Sequence, residues 1–302
     1  MTTRTQHIAR VLAPVAMLGM VALAGCSATA ADADAKAELG TEQRPVKLGV
    51  VGASDPYWDV FEKAVEAEGI ELAIQDFTEY TQPNPALSEG ELDINQFQHI
   101  QYLADYNVSA GDDLQPIGAT AIYPLSLFSD KYDSVEDIPD GETVVVPNDT
   151  TNQARGLLVL QSAGLIELKD GGSSFSTPAD VLDSSRVKVE AVDAAITPTS
   201  LPDVAAAIVN NDFVTTAGID PESAIASDDP ADSTAAPYIN IFAVKKADVD
   251  NEVLAKLVEI YQTNQDVLDG VQEVSGGTAV FATNPADELQ SALAEVEANI
   301  QK

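Results

Sequence analysis

The sequence predicts an α/β protein with parallel-rich sheets, helices on their faces, and two lobes. Two observations carry this. The first is the opening order "VKLGVVGA", "YWDVFEKAVEAEG", "IELAIQDF" from residue 46 onward, a strand–helix–strand unit of a parallel sheet. The second is size. Roughly 250 residues follow Pro45, ample for a core and enough for two lobes.

Taken in order, "VKLGVVGA" (46–53) is a short apolar run ending in Gly and Ala, hence a buried strand. In "YWDVFEKAVEAEG", Trp58, Phe61 and Val65 share one helical face and Gly69 stops the helix. "IELAIQDF" alternates as a second strand, and "NPALSEGELDINQF" reads as a short helix and another strand. "LQPIGATAIYPLSLFS" is long and β-like. "TVVVPND" is a buried strand, followed by the helix "TTNQARGLLVLQSAG", which ends at Gly164. "RVKVEAV" and "VAAAIVNN" are strands around a helix containing "LPDVAA", and "APYINIFAVKK" is a further strand. "NEVLAKLVEIYQTNQDVLDGV" and "DELQSALAEVEANIQK" are amphipathic closing helices.

The beginning of the chain addresses the compartment. "MTTRTQHIAR" carries Arg4 and Arg10 and no acid, and fifteen uncharged, mostly apolar residues follow (11–25). That run is too short to span a bilayer and fits a signal peptide. "LAGC" (23–26) resembles a bacterial lipobox, in which the cysteine is lipidated and becomes the new N-terminus. The other reading is an ordinary signal peptide with an incidental cysteine. The expectation is a lipoprotein signal peptide at 1–25 and a lipid-anchored flexible tether at 26–45, since "SATAADADAKAELGTEQRP" has little to bury. Cys26 is the only cysteine, so no disulfide supports the exported body. No other segment is long and apolar enough to cross a membrane. The protein is therefore expected to be anchored on the extracytoplasmic face of the cell membrane rather than embedded in it. All 49 acids but only 13 of the 15 basic residues follow Cys26, leaving −36 beyond it. Such a surface repels nucleic acid, which is not an expected partner.

Catalytic motifs are sparse. There is no GxGxxG after a strand, no P-loop and no CxxC. His99 is the only histidine after the first 25 residues. A multi-histidine metal site is thereby excluded, and a Ser-His-Asp hydrolase would depend on His99, with no nucleophile elbow beside it. No enzyme, cofactor or metal is expected. "LDINQFQHIQYL" (92–103) gathers Asn95, Gln96, Phe97, Gln98, His99 and Tyr102. It is either a strand-to-helix junction with core aromatics or one wall of a ligand pocket. Arg155 is one of three arginines after Gly25, with Arg44 and Arg186, and alone sits among apolar residues just inside a helix. It is either a structural bridge or an anion-binding fork.

Five separated stretches resemble the NlpA/MetQ family of methionine-binding lipoproteins. They are "YTQPNPALSEGELDINQFQHIQYL", "GATAIYPLSLFS", "VPNDTTNQARGLLVLQSAGLIELKDG", "VAAAIVNNDFVTTAGI" and "PYINIFAV". The resemblance covers residues 46 to the C-terminus and is most specific over 146–171; the loop "GASDPYWDVF" departs from it. It implies a type II periplasmic-binding-protein fold, two α/β lobes joined by two crossovers with the ligand in the cleft. Lobe 1 would be 46–128 plus 238–302 and lobe 2 would be 129–237, with crossovers near 128–131 and 236–238. It also implies the substrate-binding component of a methionine ABC importer, serving a membrane permease driven by a cytoplasmic ATPase.

The resemblance assigns the pocket as well. Arg155 and the free N–H groups of its helix would take the ligand carboxylate, the guanidinium matching it bidentately. Asn210 and Asn240 would accept from the ammonium. Phe97 and His99, alternating on one strand face, would join Tyr80 and Tyr123 in an aromatic wall for the thioether tail. His99 would pack or hydrogen-bond rather than act as a base. Trp58 is either core or pocket.

Overall fold

In the computed structural model, residues 38–301 are described. The expected signal peptide, Cys26 and most of the expected tether lie outside them. The opening is the expected βαβ unit: β1 (Val46–Val51), α1 (Pro56–Ala67) and β2 (Leu72–Phe77). β1 and β2 pair in parallel, Val46 opposite Leu72 through Val51 opposite Phe77. α1 buries Trp58, Phe61 and Val65, the face that helical spacing selects. Trp58 is core: it is 1% exposed and packs on Phe61 and Tyr261.

Next come α2 (Pro83–Glu89), β3 (Ile94–His99), α3 (Ile100–Ala110), β4 (Gln115–Ala119), β5 (Ala121–Ile122) and β6 (Ser126–Phe128). The single β-like stretch of the sequence is thus three strands, and they enter three different sheets. β7 (Thr143–Pro147), α4 (Thr150–Ser162), β8 (Lys188–Val192), α5 (Thr197–Ser200), β9 (Ala206–Val209), α6 (Asn211–Val214) and β10 (Ala226–Ser227) follow. The chain ends with β11 (Asn240–Val244), α7 (Glu252–Thr263), α8 (Gln265–Val274), β12 (Val280–Phe281) and α9 (Ala286–Ile300). The first closing helix of the sequence reading is in fact two. Asn264 ends α7 and caps α8, its side chain accepting from the Val267 N–H.

Two five-stranded mixed sheets result, in the orders β2-β1-β3-β11-β4 and β10-β6-β9-β7-β8; β5 and β12 form a small ribbon. In the first sheet β11 runs antiparallel to both its neighbours, and in the second β6 does the same beside β9. Each sheet has its own core. Val46, Leu48, Phe61, Phe242 and Leu257 lie in one, and Val144, Val146, Leu157, Leu160 and Ile208 in the other. A further cluster mixes both sheets, with Val51, Phe97, Val145, Val209 and Phe213 together.

The chain passes between the sheets twice, at 123–125 and at 228–239. The first passage comes earlier than the 128–131 expected from the sequence. Ser126–Phe128 pairs with Val209–Ala207 of β9, so it belongs to the second sheet. Local alternation marks a strand but not which sheet it joins. The return at 236–238 falls within the second passage, where a 3₁₀ helix (Ser233–Tyr238) replaces the start of the strand read from "APYINIF". No helix among the described residues is long and apolar enough to cross a membrane.

Candidate ligand-binding site

Between the two sheets lies a crevice lined by all seven residues selected from the sequence: Tyr80, Phe97, His99, Tyr123, Arg155, Asn210 and Asn240. Tyr80 comes from the loop after β2, Phe97 and His99 from β3, Tyr123 from the first passage, and Arg155 from the second turn of α4. Asn210 follows β9 and Asn240 opens β11, paired with His99. Gln98, Tyr102, Asn152 and Asp212 also line the crevice and were not selected. It is a narrow slot with a cavity volume of about 30 Å³, far below the roughly 300–1,000 Å³ of small-molecule pockets. That is room for about two waters, so an organic ligand enters only if the walls part.

The cluster at 92–103 divides into two functions. Phe97, His99 and Tyr102 face the slot; Tyr80 and Phe97 rings lie 5.9 Å apart, and Phe97 and Tyr102 5.7 Å. Gln98, which also touches the slot, joins Asn95 and Asn84 in a buried network. Asn84 Nδ2 donates to Gln98 Oε1 (2.7 Å), Gln98 Nε2 donates to Asn84 Oδ1 (2.6 Å), and Asn95 Nδ2 donates to the same oxygen (2.9 Å). That network ties α2 to β3 and satisfies polar groups that burial would otherwise penalise.

His99 has both ring nitrogens engaged. Nδ1 accepts from the Tyr102 N–H (3.0 Å), capping α3, so Nε2 carries the proton and donates to Asn152 Oδ1 (3.2 Å). Burial, then the nearby Arg155 charge, lower its pKa to about 3. A neutral, doubly engaged imidazole is a positioned wall and a poor general base.

The carboxylate end differs from expectation in two ways. The N-terminus of α4 is not free: Asp149 caps it, accepting from the Asn152 N–H at 2.9 Å. A second anion there would meet the Asp149 carboxylate, and the slot is lined from this helix by Asn152 and Arg155 instead. Nor is the Arg155 fork open. Nε donates to Asp228 Oδ2 (2.6 Å), and Nη2 donates to Asp228 Oδ1 (3.1 Å) and to the Tyr123 carbonyl (2.8 Å). Its guanidinium also stacks 4.3 Å from the Tyr238 ring centre. Arg155 is thus both a wall of the slot and a bridge to the two passages between sheets. No hydrogen bond from Nη1 is formed among the described residues.

At the other end are acceptors. Asn210 occupies the N-cap position of α6, yet its side chain does not cap. Its Oδ1 is buried with no partner among the described residues. Asp212 Oδ2 accepts from the Tyr80 hydroxyl (2.9 Å), a contact between the two sheets' halves. Burial chiefly, with the neighbouring Asp55 charge, raises the Asp212 pKa to about 7. Asp55 itself is raised to about 6 by burial and by Asp76. The β1–α1 loop brings it there: Gly52 has φ +83°, and a Cβ on it would lie 3.4 Å from Asp55 Oδ2 and 3.6 Å from the Asp212 carbonyl. Of the unselected residues, Gln98 and Tyr102 belong to the cluster at 92–103, whereas the aspartates had no distinguishing signal. Among 49 acids, Asp212 and Asp228 look like any other.

Comparison with known proteins places these features. A family model described as NlpA lipoprotein matches residues 46–282. The D-methionine-binding lipoprotein MetQ of Salmonella typhi is 35% identical over 270 residues, 88% of this chain and 94% of its own. Among solved structures, a nutrient binding protein from Burkholderia cenocepacia bound to methionine is 35% identical with a TM-score of 0.73, covering 78% of this chain and 99% of that one. The substrate binding protein of a methionine transporter from Streptococcus pneumoniae gives a TM-score of 0.72 at 35% identity, covering 79% and 95%. The family match spans both sheets and every residue of the slot, and the chain belongs to the NlpA lipoprotein family.

Proposed function

We propose that this protein is the substrate-binding component of an ABC importer and holds methionine in the slot between its sheets. One observation carries the reading. A single crevice joins a guanidinium, an unpartnered buried amide oxygen on Asn210 and an aromatic wall. These complement the carboxylate, ammonium and thioether tail of one amino acid. The relatives named for methionine binding support the choice of ligand. The ligand carboxylate reaches Arg155 through Nη1 and the ammonium reaches Asn210, with Asn240 beside it. Phe97, Tyr80, Tyr102 and Tyr123 enclose the tail.

The halves around the two sheets act as lobes that open about the passages at 123–125 and 228–239. Two polar contacts close the slot from opposite halves, Tyr80 to Asp212 and His99 to Asn152. Ligand binds the closed state better and shifts the population toward it. The protein hangs from the extracytoplasmic face of the membrane by a lipid on Cys26 and delivers methionine to a permease driven by a cytoplasmic ATPase. It is not an enzyme: His99, the residue a hydrolytic alternative needs, is held neutral and engaged.

The test is mass spectrometry of ligand released on denaturing purified protein, then calorimetric titration of the emptied protein. Methionine should be released, and on return should bind and raise the melting temperature. Release of a methionine-containing dipeptide or another small apolar amino acid, with no methionine binding, would overturn the choice of ligand. Turnover of any substrate with His99 required would overturn the class.

A further inference from the structure

We infer that the carboxylate of Asp212, beside Asn210 Oδ1, is the seat of the ligand's ammonium group and makes this slot selective for an amine over its des-amino analogue. The inference rests on the reading that an amino acid occupies the slot. Three observations converge. Asp212 lines the slot with Asn210 and Asn211. Asn210 is 9% exposed, and its Oδ1 has no partner among the described residues. A buried acceptor left open in a cavity wall calls for a donor that the protein does not supply. No ion pair among the described residues involves Asp212. Its neighbours include the Tyr80 hydroxyl, Asn211 and another acid, Asp55.

The chemistry of the alternatives decides the assignment. Arg155 faces the slot but is matched by Asp228, so that pair is neutral. Asn240 offers an amide dipole; its Nδ2 is directed at the Tyr238 carbonyl at 3.5 Å. Only Asp212 brings an unmatched carboxylate to the wall. An ammonium has three donors and a full charge. One donor satisfies Asn210 Oδ1, and a second meets Asp212 as a charge-assisted hydrogen bond, stronger than a neutral one. Asparagines alone would leave that charge desolvated without a counter-ion.

The test is calorimetry of methionine and 4-(methylthio)butanoate, which lacks only the amino group, on wild type and on Asp212→Asn. The substitution keeps the shape of the side chain and an oxygen for Tyr80. Wild type should prefer methionine strongly. In the variant, methionine affinity should fall by roughly tenfold or more, while the des-amino compound should bind unchanged or better. Asn210→Ala, which leaves the Tyr80–Asp212 contact intact, reads the same loss of discrimination should the first variant not fold. Equal losses for both compounds, or unchanged methionine affinity, would overturn the assignment. If wild type binds neither compound, the amino-acid reading of the slot itself fails.

Discussion

Arg155→Ala separates two functions that the structure assigns to one side chain. The Arg155 side chain is 6% exposed and that of Asp228 27%. Removing the guanidinium deletes two hydrogen bonds to Asp228 and one to the Tyr123 carbonyl. Breaking a fully buried pair costs about 3–5 kcal/mol. Asp228 is partly exposed and keeps the Leu125 N–H at 2.8 Å, so it can rehydrate, and about 2 kcal/mol is the expected loss of stability. For a protein of this size that is roughly 4–8 °C in melting temperature. Ligand binding suffers separately. A zwitterion whose carboxylate loses its cation should bind about 2–5 kcal/mol more weakly, roughly 30-fold or more. Methionine amide, which lacks the carboxylate, isolates that loss. It should bind wild type poorly and lose little more in the variant, whereas methionine should lose most of its advantage over the amide. Calorimetry of both ligands on both proteins, with melting curves alongside, reads both effects. Equal losses for methionine and its amide would refute the contact. Arg155 would then serve the fold by joining the passages, and the carboxylate would sit elsewhere.

Further expectations concern packing, charge and anchoring. A Cβ at Gly118 on β4 would overlap Val258 of α7, so Gly118→Ala should cost about 1–3 kcal/mol by overpacking; an unchanged denaturation midpoint would show that α7 yields freely. Asp55 and Asp212 have folded pKa values near 6 and 7, above the ordinary 3.8. The folded state therefore holds more protons than the unfolded between 3.8 and those values, and their contribution is fully present below 3.8 and lost as pH rises through 6 to 7. The groups acting on this pair are Asp76, Tyr80, Asn211, Tyr57, Tyr123 and Tyr261. Ligand-free Asp212→Asn should accordingly gain stability over wild type at pH 8 relative to pH 5, and a pH-independent difference in melting temperature would contradict the assignment. Cys26→Ala should give unprocessed precursor or protein shed from the membrane, and normal incorporation of labelled fatty acid into that variant would rule out the lipid anchor.

Much of the fold was legible because periodicity reports burial on one face. Phe61 and Val65 at helical spacing, and the apolar runs that became β1 and β7, follow from burial alone, whereas Trp58 stood between core and pocket until its packing on Phe61 and Tyr261 placed it. What could not be read is pairing between distant segments. Ser126–Phe128 looks equally at home in either sheet, and only its partner β9 decides. The amides Asn95 and Gln98 made no sense locally because their partner, Asn84, sits on a different element. In the slot, Arg155 stood out because arginine is rare here, with five in 302 residues. Its partner Asp228 lies 73 positions away and is hidden among 49 acids. The capping of α4 was the avoidable miss. "NDTT" places Asp149 where an N-cap belongs, and a capped helix end has less to offer a second anion.

Charge balance connects these particulars to the ligand. The chain carries −34 overall, yet its slot is not a uniformly negative site. Arg155 and Asp228 cancel, His99 is neutral, and Asp212 ionises only near pH 7. A buried site with little net charge avoids the desolvation penalty that an unpaired ion would impose. A zwitterion fits this environment because it also carries no net charge, and its two poles lie on adjacent groups. In the proposed pose its carboxylate would meet Arg155, already steadied by Asp228, and its ammonium would meet Asp212 and convert a marginal carboxylate into a paired one. A side chain with its own charge would have to leave water against the rings of Phe97, Tyr80 and Tyr102. On that reading the tail is left to the aromatic surface, which favours an apolar, polarisable thioether over a charged tail.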